Sequence, residues 1–155
     1  TTIKGFELKG RTELGQSWGG TWVAQAGYGY TKGKGEDGQG LNEISPQKLR
    51  LALGQKAARW NWELAATHSA AKKASDLAAD TTSQFLSPSH TVLDLTGQFS
   101  VTKGVRVNVG LFNLTDKKYW NWGDVRNVSL PTEAAAIDAY SQSGRSVRVS
   151  VVADF

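Results

Sequence analysis

His68 and His90 are the two histidines of the chain, and with Tyr119 and Tyr140 they are the side chains that could ligate iron, through imidazole or phenolate. Hydrolytic chemistry has less to stand on. Serine, histidine and aspartate are all present, yet no G-x-S-x-G elbow and no H-E-x-x-H spacing occurs. The chain has no cysteine, which excludes disulfides and thiolate metal sites. The glycine-rich stretch KGKGEDGQG lacks the G-x-x-x-x-G-K-[ST] pattern and a following helix, so it predicts a loop tip and no phosphate cradle. What remains is recognition. Trp120, Trp122, Arg126 and Tyr140 supply the aromatic area and the guanidinium that dominate contact energies at protein interfaces, and His90 opens a strand beside a long loop. These five are the candidate contact residues for a ligand or partner; loop packing is the structural alternative for the aromatics.

The elements that position these residues follow from a period of two, the signature of strands with one apolar and one polar side. Phe6, Leu8, Gly10, Thr12 and Leu14 stand opposite Glu7, Lys9, Arg11 and Glu13. Trp22 to Tyr30, Leu49 to Leu53, Trp60 to Ala70, Leu93 to Val101, Val105 to Leu111 and Arg145 to Phe155 repeat the pattern, giving seven strands. Connections alternate between tight (15–20, 57–59, 102–104) and long (31–46, 71–89, 121–144), with a short helical turn expected in PTEAAAIDAYSQ. An antiparallel meander then carries plain turns at one end and elaborate loops at the other. Residues 1–155 are read as a single partial domain.

Alternation fits a soluble sandwich as well as a membrane barrel, so other features must separate them. Strands of about 9 to 13 residues match the length that crosses a bilayer at a tilt. The aromatics gather at the strand ends: Trp18, Trp22, Trp60, Trp62, Phe99 and Phe155 near the tight turns, Tyr28, Tyr30 and Tyr119 near the long loops. Amphipathic rings favour the two membrane interfaces, whereas a sandwich core would hold them centrally. With 18 Lys and Arg against 14 Asp and Glu, the small basic excess is scattered on polar faces away from the aromatics. That separation excludes a nucleic-acid surface, which needs stacking and phosphate contacts together. The expected fold is therefore an all-β, antiparallel transmembrane barrel meander whose apolar face meets the lipid bilayer. Seven strands cannot close with both termini at one end, and an open edge in lipid is costly, so the piece belongs to a larger barrel. A small autonomous barrel or engineered truncation with a structural or adhesive role, and a soluble binding sandwich, are the alternatives.

TVLDLTGQFSVTKGVRVNVGLFNLTDKKYWNWGDVR, at 91–126, resembles the end of the barrel of TonB-dependent outer-membrane receptors. Their next-to-last strand carries an N-L-x-D-K-x-Y element, matched by Asn113, Leu114, Asp116, Lys117 and Tyr119, and their last strand ends in phenylalanine, here Phe155. The stretches LNEISPQKLRLAL, NLTDKKYW and DAYSQSGRSVRVSVVADF look most like the heme and hemoprotein receptor branch. The resemblance implies a plugged barrel of about 22 strands in the bacterial outer membrane. It also implies heme as the transported ligand, a hemoprotein or hemophore as partner, and a TonB-type protein energising uptake through a plug outside this chain. No cofactor is expected within the segment. Relatives often place an aromatic residue where this chain has Ala153, which implies that assembly signalling rests on Phe155.

Overall fold

The computed structural model describes residues 1–78, 81 and 83–154. Seven strands form one antiparallel sheet in which each pairs with its sequence neighbour: β1 (Thr2–Ser17), β2 (Gly20–Lys34), β3 (Lys48–Lys56), β4 (Trp60–Ser69), β5 (His90–Ser100), β6 (Val105–Phe112) and β7 (Ser146–Ala153). The meander and the alternation of short and long connections are those the sequence predicts. β1 and β2 are longer than their apolar cores, at 16 and 15 residues, because Thr2–Gly5 and Thr31–Lys34 pair backbone to backbone where the apolar alternation has already ended. β7 is shorter than the alternating run from Arg145, and Phe155 lies outside the described residues.

Local chemistry sets the tight turns. Between β1 and β2 the chain reverses at Trp18 (φ 50°) and Gly19 (φ 80°), the two left-handed positions of a twist-matched hairpin. Glycine adopts that conformation without penalty; the tryptophan carries the strain and stands 83% exposed. Its indole meets that of Trp22 at 5.9 Å, and Trp22 meets Trp62 at 5.6 Å. An aromatic row thus crosses three strands at the tight-turn end. Arg59 covers the Phe99 ring at 5.4 Å at the same end. At the opposite end Phe6 packs between Tyr28 and Tyr30, 5.7 and 5.8 Å away.

The two faces of the sheet differ in kind. Leu51, Leu53 and Leu64 lie on strands flanked by neighbours on both sides, yet remain 41–50% exposed, because no second layer covers them. A bare apolar face of this extent requires a non-aqueous surrounding. The sandwich alternative fails here, since its defining second sheet is missing among the described residues. The other face is held by polar cross-strand contacts. Arg50 pairs with Glu63, which also accepts a hydrogen bond from Gln25 at 2.6 Å. Farther along, Gln98 donates to Asn108 at 2.9 Å, Asn108 to Ser150 at 3.1 Å, and Arg106 pairs with Asp154 at 3.1 Å. Gln55 breaks the apolar parity, but it is buried between the tryptophans and donates to the Ser17 and Gly20 carbonyls.

The N-L-x-D-K-x-Y element is not strand. β6 ends at Phe112, and Asn113 (φ 51°) and Asp116 (φ 52°) turn the chain out of the sheet. Both side chains are needed as caps there. The Asn113 amide donates to the Lys117 and Ser143 carbonyls at 2.9 and 3.2 Å and accepts from the Lys117 N–H at 2.9 Å. Asp94 accepts the Asn113 N–H at 2.8 Å, and Asp116 accepts the Arg145 N–H at 2.7 Å. The motif ties the ends of β5, β6 and β7 together.

Candidate functional site

The long loops, here L1 (35–47), L2 (70–89) and L3 (113–145), converge at one end of the sheet and fold on one another. L1 and L2 approach so closely that a Cβ on Gly40 would stand 2.4 Å from the Asp76 backbone, so glycine is required at this crossing. Asn42 of L1 is the hub: its side-chain oxygen accepts the Ala78 N–H at 3.2 Å and its carbonyl accepts the Trp122 indole N–H at 2.6 Å. L2 and L3 are stitched by Phe85 N–H to Val128 O (3.0 Å) and Leu130 N–H to Ser83 O (3.1 Å). Within L3 lie α1 (Trp122–Val125), α2 (Leu130–Glu133) and a 3-10 segment, Ala134–Tyr140. The last two fall where the sequence predicts a helical turn; α1 is too short to leave a period.

A small apolar core forms between the loops from Leu77, Trp122, Val125 and Val128, with Phe85, Leu86, Trp120 and Ile137 packed around it. Lys72 is buried beside it, donating to the Ile44 carbonyl at 2.7 Å with its ammonium 4.8 Å from the Trp122 ring centre. Burial pulls the Lys72 pKa below the ordinary lysine value, while the carboxylates of Asp76 and Glu43 oppose that shift. The carbonyl and the indole face replace the water the ammonium gives up. The Tyr119 phenol, in L3, is held above its usual pKa, chiefly by burial and then by the Asp94 charge.

The candidate contact residues divide by position. Trp122 is 3% exposed and belongs to the core of the cap. Trp120 is half-buried, with its N–H bonded to Ile137 O at 2.8 Å, its ring 5.4 Å from Phe85 and the Lys118 ammonium 5.7 Å away. Arg126 is partly exposed, and its carbonyl accepts the Gln84 amide. Tyr140 stands on the surface of the 3-10 segment. His90 is buried with its ring 4.5 Å from that of Tyr119 and its Nδ1 3.3 Å from the Pro88 carbonyl. Trp120, Trp122, Arg126 and Tyr140 thus share one cap, whereas His90 packs at the top of the sheet wall.

His68 lies on the opposite face from His90, 2.9 Å from the Thr91 hydroxyl, so the two imidazoles do not converge on one metal. No cluster of three or more His, Asp or Glu able to hold a metal ion occurs among the described residues. Among the described residues neither histidine ring holds a carboxylate, as the base of a catalytic triad would. Sequence reasoning missed Asn42 and Lys72, the two polar residues that lock the loops; loops carry no periodicity from which an inward direction could be read.

Residues 1–114 match the family model described as TonB dependent receptor-like, beta-barrel. Among curated proteins the chain is similar to hemoglobin-binding protein A of Haemophilus influenzae, 25% identical over 99% of this chain and 17% of that protein. It is also similar to hemoglobin-haptoglobin utilization protein B of Neisseria meningitidis serogroup C, 29% identical over 99% of this chain and 22% of that protein. The chain therefore spans about a fifth of the length of these relatives. Two solved structures share the fold. The copper transporter OprC matches with a TM-score of 0.81 at 23% identity, over 99% of this chain and 23% of that one. The ferripyoverdine receptor of the Pseudomonas aeruginosa outer membrane matches with a TM-score of 0.63 at 19% identity, over 99% and 19%. An open sheet with one bare apolar face, aromatic rows at both ends and one elaborate loop end is one section of such a wall, and the chain belongs to the TonB-dependent receptor β-barrel family of the bacterial outer membrane.

Proposed function

We propose that the chain supplies barrel wall and external loops to a receptor that takes up heme iron from hemoglobin or a related hemoprotein, with a TonB-type protein driving transport through a plug outside this segment. The observation that carries the reading is the cap: L2 and L3, held by a shared apolar core, and L1, tied to both by the Asn42 hub, form a preorganised surface. Preorganisation lowers the ordering cost of binding a protein. The names of the similar proteins supply the partner class, hemoglobin and hemoglobin-haptoglobin.

On this reading Tyr140 and Leu130, 37% and 43% exposed, together with Arg126, meet the partner, while Trp120, Trp122 and His90 hold the surface in shape. Heme is cargo, and the segment itself holds no cofactor. The test is hemoglobin binding to the complete receptor in detergent, alongside growth of iron-starved cells on hemoglobin. Tyr140→Ala is expected to weaken binding about tenfold, the scale of an aromatic contact at an interface. A receptor that ignores hemoglobin in both assays overturns the reading.

A further inference from the structure

β2 overruns its neighbour: its pairing with β3 ends at Gly29 opposite Lys48, and Tyr30–Lys34 continue paired with β1, with a single bridge from Lys34 to Gly40 of L1 at the tip. The open side of this overhang, with L1 and the start of L2, encloses a cavity of about 530 Å³. Its lining is basic. Lys32, Lys34, Lys72 and Lys73 all contribute, against a single carboxylate among the described residues, Asp76. The Lys72 ammonium is committed to Ile44 and Trp122, but the ammonium groups of Lys32, Lys34 and Lys73 have no hydrogen bond or ion pair among the described residues.

The parity of the sheet fixes where these charges stand. Lys32 and Lys34 continue the side of Tyr28 and Tyr30, the lipid-facing side, and Lys4 lies directly across from Lys32 on that side. Two like charges placed opposite one another on a sheet face are destabilising without a counter-charge. They also lie two to four residues, about 7 to 13 Å along the strand, beyond the Phe6–Tyr30 aromatic contact, on the outer side of the ring belt that marks the headgroup level. At the tight-turn end the lipid-facing positions carry Trp22, Trp60 and Phe99 instead.

We propose that this cavity, with Lys4 beside it, binds the phosphorylated headgroup of a lipid in the outer leaflet. The inference rests on the outer-membrane orientation used above, with the long loops outside. Basic pockets at the headgroup level of membrane proteins take phosphate oxygens in this way, and the cavity accommodates a phosphorylated sugar-sized group rather than an acyl chain.

The test uses the complete receptor in non-ionic detergent, with diphosphoryl lipid A as probe and native mass spectrometry as readout. Wild-type protein is expected to retain the probe at least tenfold better than the dephosphorylated lipid. The triple variant Lys4→Gln, Lys32→Gln, Lys34→Gln should lose about tenfold or more in apparent affinity, and the corresponding Lys→Arg variant should keep it. Unchanged binding by the Gln variant overturns the proposal, as does equal retention of the dephosphorylated lipid. Inorganic pyrophosphate binding as tightly as the lipid also overturns it, since the occupant would then be a free anion. If the Gln variant does not fold, the wild-type comparison of the two lipids decides alone. Heat-modifiable gel mobility is measured in parallel: its absence in the wild type defeats the barrel reading itself, whereas an intact barrel with lysine-independent binding defeats only the lipid site.

Discussion

Trp122 shows how far one residue's type can be read and where its direction becomes invisible. A tryptophan in a long polar loop is a good candidate for partner contact, and from sequence nothing separates it from Tyr140. In the fold they part: Trp122 is 3% exposed and bonds Asn42, while Tyr140 lies at the surface. Strand residues reveal their side because the pleat alternates, whereas a loop residue points wherever its neighbours allow. The consequence is measurable. Trp122→Ala removes a buried ring, frees the Asn42 carbonyl of its partner and strips the π face from Lys72, at a cost of about 3 to 5 kcal/mol confined to the cap. Hydrogen exchange should therefore accelerate in L1, L2 and L3 together while β3, β4 and β5 keep their protection. Acceleration limited to L3 would show that the loops do not share a core.

At the scale of elements, the strands were legible and the knot between them was not. β3 holds the Leu49–Leu53 alternation at its centre and runs one residue before it and three beyond it, because one bare apolar face and one polar face impose a period of two there. The N-L-x-D-K-x-Y motif looks like a continuation of β6, since Leu111, Phe112 and Leu114 are apolar, yet Asn113 and Asp116 leave the sheet in left-handed conformations. The side chains that make those conformations tolerable are the caps themselves, and the motif's hydrogen-bond partners on β5 and ahead of β7 are distant in sequence. Replacing Asn113 by Ala leaves the Lys117 N–H and two carbonyls without their partners, at about 1 to 2 kcal/mol each, and leaves the left-handed backbone with a side chain that lacks the local hydrogen bonding by which asparagine tolerates it. The expected outcome is loosening of the upper ends of β5, β6 and β7 against one another, read as faster exchange at Leu114 and Arg145. Asn113→Gly, which relieves only the backbone term, should recover part of the protection; equal loss in both variants would locate the whole effect in the amide.

For the whole molecule the informative feature is what the sheet leaves undone. β1 and β7 stand at opposite edges, each with one row of backbone N–H and C=O groups unpaired, and in a bilayer every such group costs several kcal/mol. The even-strand rule makes this legible from sequence, because a meander of seven cannot close on itself. Which partners satisfy the edges is not legible, since backbone pairing is nearly blind to side-chain identity. That same blindness makes a prediction about the 155-residue chain by itself. Folded into detergent micelles, its long β1 edge and its Val147, Val149 and Val151 face, 63–64% exposed, should seek other strands. The chain is therefore expected to form oligomers joined edge to edge, seen by light scattering after gel filtration, with strand content retained by circular dichroism. Proline at Lys9, mid-edge on β1, removes one N–H donor, and the bulky ring disturbs the neighbouring pairing, so it should shift the population toward smaller species. A stable monomer with the full strand signal would mean that the seven strands satisfy their own edges, and the chain would then be a barrel in its own right rather than a section of wall.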